Sequence, residues 1–179
     1  MVNMKQISFL AFLNQKHMSS KKKIRCYDYI NHPFENVKAV VQKNITEIFK
    51  NATKSASARA KNVAAELHVN VAGFEFGKDI DITIKGIRES PKSLGTPPSI
   101  SILLEWAAHE NSKIFPMMEG DLTLYPLTST ETQLDFSGEY EVPLGVIGGM
   151  LNAVGGHRIA EASVLRFVQD IAVHLRNEL

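Results

Sequence analysis

The sequence predicts a single α+β domain in which a curved antiparallel β-sheet wraps around a long C-terminal α-helix. Two observations lead to this prediction. Segments with alternating apolar and polar residues follow one another through the middle of the chain, and residues 145–178 place apolar side chains at helical spacing. Alternation of this kind is typical of an antiparallel sheet with one buried face and one face in water. At 1.5 Å per residue the final segment would be about 50 Å long, more than such a small domain is wide, so we expect the sheet to curve around it.

The chain before the sheet is predicted to form one strand and then one or two helices. Residues 24–30 are a β-branched and aromatic run, which predicts a strand that ends before Pro33. Residues 34–52 place apolar side chains at three- and four-residue steps, which predicts a helix with Pro33 in its first turn. Residues 53–62 are small and polar and fit either a second short helix or a connection. The sequence therefore leaves open whether residues 33–62 form one helix or two.

The remaining strands are expected to follow in series. Alternating or β-branched runs predict strands at residues 64–73, 78–86, 99–109, 118–127 and 132–142. Residues 90–98 contain three prolines and one glycine and are predicted to form a loop. The apolar positions of these strands are expected to share the inner face of the sheet.

Composition and charge limit the class of protein. The chain has 179 residues, 44% of them apolar and 22% charged, which is an ordinary globular composition and enough for one core. All six charged residues among the first 25 are basic, so the rest of the chain has a net charge of −5. We interpret residues 1–22 as a disordered basic tail and residues 23–179 as the domain, and leave open whether the natural start is Met18. Because nucleic-acid binding usually needs a basic face on the folded body, no nucleic-acid partner is expected.

Further features predict a cytoplasmic protein without a cofactor. No apolar run approaches the roughly 18 residues of a membrane helix, and residues 7–13 lack the small-residue cleavage site of a secretory signal. Cys26 is the only cysteine, which excludes an internal disulfide and fits a reducing compartment. The histidines form no HxH or HExxH pair, and neither a glycine-rich phosphate loop nor a GxSxG elbow is present. We therefore expect no metal, no cofactor and no stable membrane insertion.

Three stretches of the second half have a distinctive sequence: FPMMEGDLTLYPL (115–127), ETQLDFSGEYEVPLG (131–145) and GHRIAEASVLRFVQDIA (156–172). Together with the order of elements, they resemble the polyketide-cyclase-type members of the START-like superfamily, also called SRPBCC. The resemblance extends over residues 24–179 by topology and is close from about Trp106 onward. It implies a helix-grip fold with a ligand cavity between sheet and C-terminal helix. It implies no particular activity, because the superfamily contains carriers, cyclases and partner-binding domains.

Small residues are frequent at the start of the predicted C-terminal helix. At about 100° per residue, a sector of small residues lies beside an apolar sector that includes Met150 and Val154. The small-residue sector contains Gly145, Gly149, Ala153, Gly156, Ala160 and Ser163. These sectors either let the helix pack tightly on the sheet or leave a void beneath it, and the resemblance favours the void. The predicted ligand-binding residues are Leu67, Val69, Ile82, Ile84, Ile102, Leu104, Trp106, Phe136, Tyr140, Gly149, Met150, Ala153, Val154 and His157.

His157 and Glu161 are the candidates for catalysis. His157 falls in the apolar sector, and Glu161 can reach it because residues four apart lie on one face of a helix. The pair could supply a general base with its orienting carboxylate, or a hydrogen-bond partner for a ligand. Alternatively, His157 is a structural histidine that bridges helix and sheet. Arg158, at the edge of this sector, is expected either to pair with Asp135 or Glu139 or to be solvated.

Three functions stay open from the sequence. The apolar inner faces favour a protein that binds or carries a small hydrophobic or amphipathic molecule, since such pockets are mostly apolar with a few polar groups. The second is a cyclase- or aromatase-like enzyme that uses the same cavity, with His157 moving protons. The third, implied by the resemblance, is a partner-binding domain of the co-chaperone type, so a protein partner is not excluded.

Overall fold

The computed structural model describes residues 21–66, 80–108, 117–141 and 153–179. These ranges contain five strands and two helices: β1 (Lys22–Ile30), α1 (Phe34–Glu66), β2 (Ile80–Ser90), β3 (Ser99–Ala108), β4 (Met117–Pro126), β5 (Thr132–Glu141) and α2 (Ala153–Glu178). The strands form one curved antiparallel sheet in the order β1-β5-β4-β3-β2. This sheet and the long C-terminal helix confirm the predicted α+β helix-grip architecture.

The alternating pattern of the strands places one face of the sheet in the core. On β3, Ile100, Ile102, Leu104 and Trp106 are buried, and the residues between them are at least partly exposed. The other strands contribute inner-face residues that are buried in the same way: Met118, Leu122, Leu124, Leu134, Phe136 and Tyr140. The inner faces read from the sequence are therefore confirmed for the described strands.

β1 begins earlier than predicted. It pairs with β5 from Lys22, opposite Tyr140, to Ile30, opposite Thr132, whereas the sequence predicted a start at Ile24. Because backbone hydrogen bonds form the ladder, the pairing continues through two lysines that have no apolar side chain to signal a strand. Residues 1–20, which make up most of the predicted tail, lie outside the described residues.

α1 consists of two helical segments, so residues 33–62, for which the sequence left one helix or two open, contain parts of both. It bends at Asn44, whose φ of −123° and ψ of 15° are not helical, so that two helical segments follow one another. The second segment continues through the small polar region to Glu66. The prediction of a strand from residue 64 is therefore wrong for residues 64–66, and residues 67–73 lie outside the description. Buried small residues at four-residue steps, Ala52, Ala56 and Ala60, extend the apolar face of the helix.

α2 has a continuous buried face. Val164, Phe167, Val168, Ile171 and Leu175 are all buried, in agreement with the predicted helical spacing. The predicted helix starts at residue 145, but residues 142–152 are outside the description. The small-residue sector was expected to face the sheet. Ala160 and Ser163 of that sector are fully buried, while the most extensive packing of α2 is against α1.

Both ends of α2 are attached to the sheet by polar side chains. Near its C-terminus, Arg176 donates through Nε to the carbonyl oxygen of Tyr29 (2.9 Å) and through its second amino group to the carboxylate of Asp28. Near its N-terminus, His157 contacts Tyr140 of β5. These contacts fix how α2 lies across the sheet and hence where its side chains meet the inner face. Within the described ranges, neither helix is long and apolar enough to cross a membrane.

Candidate functional site

An aromatic cluster occupies the centre of the inner face. Trp106 of β3 is fully buried, and its ring lies 6.1 Å from that of Phe136 and 5.1 Å from that of Phe167, the latter edge to face at 76°. Phe167 in turn contacts Phe49 of α1 edge to face. The indole Nε1 of Trp106 is buried and has no hydrogen-bond partner among the described residues. The cluster thus joins the sheet to both helices, and it contains one donor that no described residue satisfies.

Sheet register places Trp106 and Tyr140 in one row of side chains. Ile82 is opposite Trp106, Trp106 is opposite Met118, and Met118 is opposite Tyr140. Neighbouring strands lie about 4.8 Å apart, so the two polar-tipped aromatics are separated by roughly 10 Å, with Met118 between them. One row of the inner face therefore offers two polar groups on an otherwise apolar surface.

Two glycines make room for Phe136 in the next row. Gly120 and Gly138 are opposite each other on β4 and β5. A Cβ at Gly120 would lie 2.5 Å from Cζ of Phe136, and a Cβ at Gly138 would lie 2.8 Å from the carbonyl oxygen of Glu119. The ring of Phe136 therefore lies over the glycine pair, where a larger residue at either position would displace it.

Tyr140, His157 and Glu161 form a chain of polar contacts that runs outward from the core. The hydroxyl of Tyr140, a residue only 1% exposed, hydrogen-bonds with Nδ1 of His157, and the two rings are stacked at 12°. Nε2 of His157 lies 2.9 Å from Oε1 of Glu161. The side chain of His157 is partly exposed and that of Glu161 is exposed. His157 thus bridges helix and sheet, and it also links a buried hydroxyl to a solvent-facing carboxylate.

The geometry assigns the donors and acceptors in this chain. Glu161 is an acceptor, so the neutral form of His157 carries its hydrogen on Nε2, and Nδ1 accepts from the hydroxyl of Tyr140. Burial raises the pKa of Tyr140, and the negative charge of Glu161 raises it further. Tyr140 therefore stays a neutral donor at physiological pH.

Replacing Tyr140 with phenylalanine should change how stability depends on pH. The folded pKa of Tyr140 is above the unfolded value of about 10, so its contribution to stability is complete below pH 10 and is lost as the pH rises through the folded pKa. We expect Tyr140→Phe to cost about 1 kcal/mol at pH 7 and to make urea-unfolding midpoints fall less steeply above pH 10. Tyr27→Phe, at an exposed position, is the control. Equal alkaline slopes for Tyr140→Phe and the parent would contradict the prediction.

The structure brings some predicted ligand-binding residues together and leaves others untested. Ile102, Leu104, Trp106, Phe136 and Tyr140 are buried on the inner face, and Ile82 and Ile84 pack against that core while partly buried. Leu67, Val69, Gly149 and Met150 lie outside the described residues, and Ala153 and Val154 are described only as the first residues of α2. A ligand-binding role for these residues stays a prediction.

The sequence left open whether Arg158 pairs with Asp135 or Glu139 of β5 or is solvated, and it pairs with neither carboxylate. Asp135 is held instead by Arg25 of β1, whose Nε lies 3.1 Å from Oδ1, and Arg158 is exposed. β1 and β5 are neighbours in the sheet, so Arg25 reaches Asp135 across a single strand spacing. This pair was not readable from the sequence because 110 residues separate its members.

A groove of about 480 Å³ opens between β1, α1 and α2. It is lined by Lys23, Ile24, Arg25, Cys26, Arg59, Val63, Arg158, Glu161, Ala162 and Leu165. Burial raises the pKa of the Cys26 thiol to about 12, with smaller contributions from nearby carboxylates, which disfavours the reactive thiolate at physiological pH. None of the groove's basic residues was a candidate site residue in the sequence analysis, because three elements distant along the chain form the groove.

In the described part of the chain, no group of three His, Cys, Asp or Glu side chains could hold a metal ion.

Comparison with known proteins gives likenesses to solved structures. No family model matches the chain, and no curated protein matches it significantly. An aromatase/cyclase, Zhui from Streptomyces sp. R1128, is 10% identical with a TM-score of 0.47, covering 88% of this chain and 95% of its own. A START superfamily protein from Mycobacterium smegmatis is 11% identical with a TM-score of 0.45, covering 88% of this chain and 99% of its own. The lipid transfer and protein localization domain of human StarD13 is 9% identical with a TM-score of 0.33, covering 96% of this chain and 98% of its own.

Those likenesses are to the fold, and at such identities and TM-scores they say nothing of a ligand or an activity. The described residues have a helix-grip arrangement on their own geometry: five strands in one antiparallel sheet and a C-terminal helix that is tied to β1 and β5.

Proposed function

We propose that the protein binds or carries a small hydrophobic or amphipathic molecule between the inner face of the sheet and the C-terminal helix. The observation that supports this most directly is the indole nitrogen of Trp106, which is buried among aromatic side chains without a hydrogen-bond partner in the described residues. A buried donor left unpaired costs about 1–3 kcal/mol. A ligand with an acceptor oxygen would recover that free energy.

The surroundings of Trp106 support the same class of ligand. Ile102, Leu104 and Phe136 provide apolar surface, and the hydroxyl of Tyr140 is the second polar group in the row of Trp106. Mostly apolar walls with a few placed polar groups are typical of small-molecule sites. The proposed site also includes four predicted ligand-binding residues that lie outside the described ranges: Leu67, Val69, Gly149 and Met150. It further includes Ala153 and Val154, the first two residues of α2.

The experiment uses Trp106 as its own reporter, because the protein contains a single tryptophan. Two probes of matched shape, cyclohexyl methyl ketone and ethylcyclohexane, differ in one acceptor oxygen. We expect both to change Trp106 emission, and the ketone to bind about tenfold more tightly, the equivalent of about 1.4 kcal/mol for one satisfied hydrogen bond. Native mass spectrometry of freshly purified protein would show whether a small molecule is carried from the cell.

A matched variant separates the hydrogen bond from simple apolar burial. Trp106→Phe keeps an aromatic ring but removes the N–H, so calorimetric titration should find that the ketone no longer binds more tightly than ethylcyclohexane. The proposal fails if the parent shows neither an emission change nor heat of binding with either probe. A preference for the ketone that persists in Trp106→Phe would also contradict the assigned role of Nε1.

A second candidate function, a cyclase- or aromatase-like enzyme, is favoured by the chain from Tyr140 through His157 to Glu161. His157 would move a proton between a ligand on the inner face and the carboxylate at the surface. The discriminating result is a pH-dependent turnover that is lost in His157→Ala while probe binding persists. If His157→Gln preserves both stability and binding and no turnover is found, His157 only bridges helix and sheet.

A further inference from the structure

We propose that the groove between β1, α1 and α2 is a second binding site, separate from the buried surface at Trp106, and that it takes one small amphipathic anion. The ligand class is a phosphate monoester or carboxylate with a short apolar tail. The volume of about 480 Å³ is within the range of small-molecule sites, roughly 300–1,000 Å³.

Three elements build the groove. β1 contributes the run from Lys23 to Cys26. α1 contributes Arg59 and Val63, one helical turn apart. α2 contributes residues 158, 161, 162 and 165, whose three- and four-residue spacing places them on one face of the helix. The walls are therefore regular secondary structure, and the positions of the charged side chains follow from the packing of β1, α1 and α2.

The charge of the groove favours an anion. The residues that line it include four basic ones and one acidic one. Arg25 is paired with Asp135, Arg59 with Glu66 at 3.3 Å, and the one acid, Glu161, with His157.

The other two cations, Lys23 and Arg158, have neither an ion pair nor a side-chain hydrogen bond in the described part of the chain. Charge-assisted hydrogen bonds from ammonium and guanidinium groups to oxyanions are the strong class of such bonds. An anion in the groove would give both side chains a partner.

Apolar surface lies beside these cations. Leu165 is 44% exposed, and it lines the groove together with Ala162 and the largely buried Val63 and Ile24. A single exposed leucine is ordinary on a protein surface, but here it belongs to a concave surface that Lys23 and Arg158 also line. A ligand with one anionic group and one apolar tail satisfies both parts, whereas inorganic phosphate satisfies only the first.

Calorimetric titration of the full chain tests the site with three probes: octyl phosphate, inorganic phosphate and 1-octanol. We expect octyl phosphate to bind one to one and about tenfold more tightly than either of the others. Lys23→Gln and Arg158→Gln should each weaken octyl phosphate about fivefold to tenfold, as expected for one charge-assisted hydrogen bond. Lys92→Gln removes the same charge at an exposed position outside the groove and should change the affinity less than twofold.

A second pair of variants tests the apolar part. Leu165 and Val173 are similarly exposed residues of α2, 44% and 48%, and Val173 does not line the groove. Leu165→Asp should weaken octyl phosphate more than tenfold through charge repulsion and loss of the apolar contact, while Val173→Asp should not. Both side chains are on the surface, so circular dichroism should show an unchanged fold for each variant.

Any one of three results would overturn the proposal of a second site. Lys23→Gln and Arg158→Gln with parental affinity would show that these cations do not hold the anion. A shift of Trp106 emission on adding octyl phosphate would place the probe on the buried surface instead. Binding to vesicles of equimolar phosphatidylcholine and phosphatidylserine without binding of monomeric octyl phosphate would show attraction to a membrane surface and not a site. Because the ketone experiment depends on Trp106 and this one on Lys23 and Arg158, either proposal can fail alone.

Discussion

Phe167→Ala should lower the free energy of unfolding by about 3–5 kcal/mol, the usual cost of deleting a fully buried phenyl ring. Phe167 is fully buried, and its ring contacts Trp106 on the sheet and Phe49 on α1, so three elements lose packing with one substitution. Urea unfolding followed by far-UV circular dichroism measures the loss. Val173→Ala, on the same helix but 48% exposed, should change stability by less than about 0.5 kcal/mol.

Phe167→Ala also tests the proposed binding of apolar molecules at Trp106. Deleting the ring leaves apolar space next to Trp106, and apolar cavities of this kind bind apolar molecules. We therefore expect added ethylcyclohexane to stabilise Phe167→Ala more than the parent and to shift its tryptophan emission further. If Phe167→Ala unfolds at the parental urea concentration, the packing of Trp106 between sheet and helix is not as described.

Alanine at either member of the glycine pair under Phe136 should destabilise the fold by about 1–3 kcal/mol, the usual range for overpacking. At Gly120 the new Cβ would meet the ring of Phe136 at 2.5 Å, and at Gly138 it would meet the backbone oxygen of Glu119 at 2.8 Å. A backbone atom held by the ladder between β4 and β5 cannot move aside easily. Gly138→Ala is therefore expected to show the larger loss of the two.

Two controls test whether the loss of stability comes from these close contacts: Gly86→Ala, and each alanine variant combined with Phe136→Leu. A Cβ at Gly86 meets nothing within 4 Å, so Gly86→Ala should be neutral or slightly stabilising. Adding Phe136→Leu to Gly120→Ala should restore part of the lost stability, because it removes the ring atom that the new Cβ meets. Adding Phe136→Leu to Gly138→Ala should restore little, because the closest atom there is a backbone oxygen. Equal thermal unfolding of all three alanine variants would contradict the described placement of Phe136.

The local pattern of the sequence was enough to identify the inner face. Alternation with a period of two places Ile102, Leu104 and Trp106 on one side of β3, and this reading needs no knowledge of the partner strands. The contact between His157 and Glu161 was predictable for the same reason, because a four-residue spacing on one helix fixes the distance. The strand predicted from residue 64 fails at Ala64–Glu66 because an alanine-rich segment forms helix readily.

The sequence by itself therefore determined the α+β class, the inner faces of the described strands and the helical face that buries Val164, Val168 and Ile171, since each depends on spacing within one element. Only the tertiary structure decided which residues meet across elements: Tyr140 with His157, Arg25 with Asp135, and Phe49 with Phe167. Such contacts join residues from 17 to more than 100 positions apart. They depend on sheet order and helix packing, which are set by burial of the whole chain and which no single segment specifies.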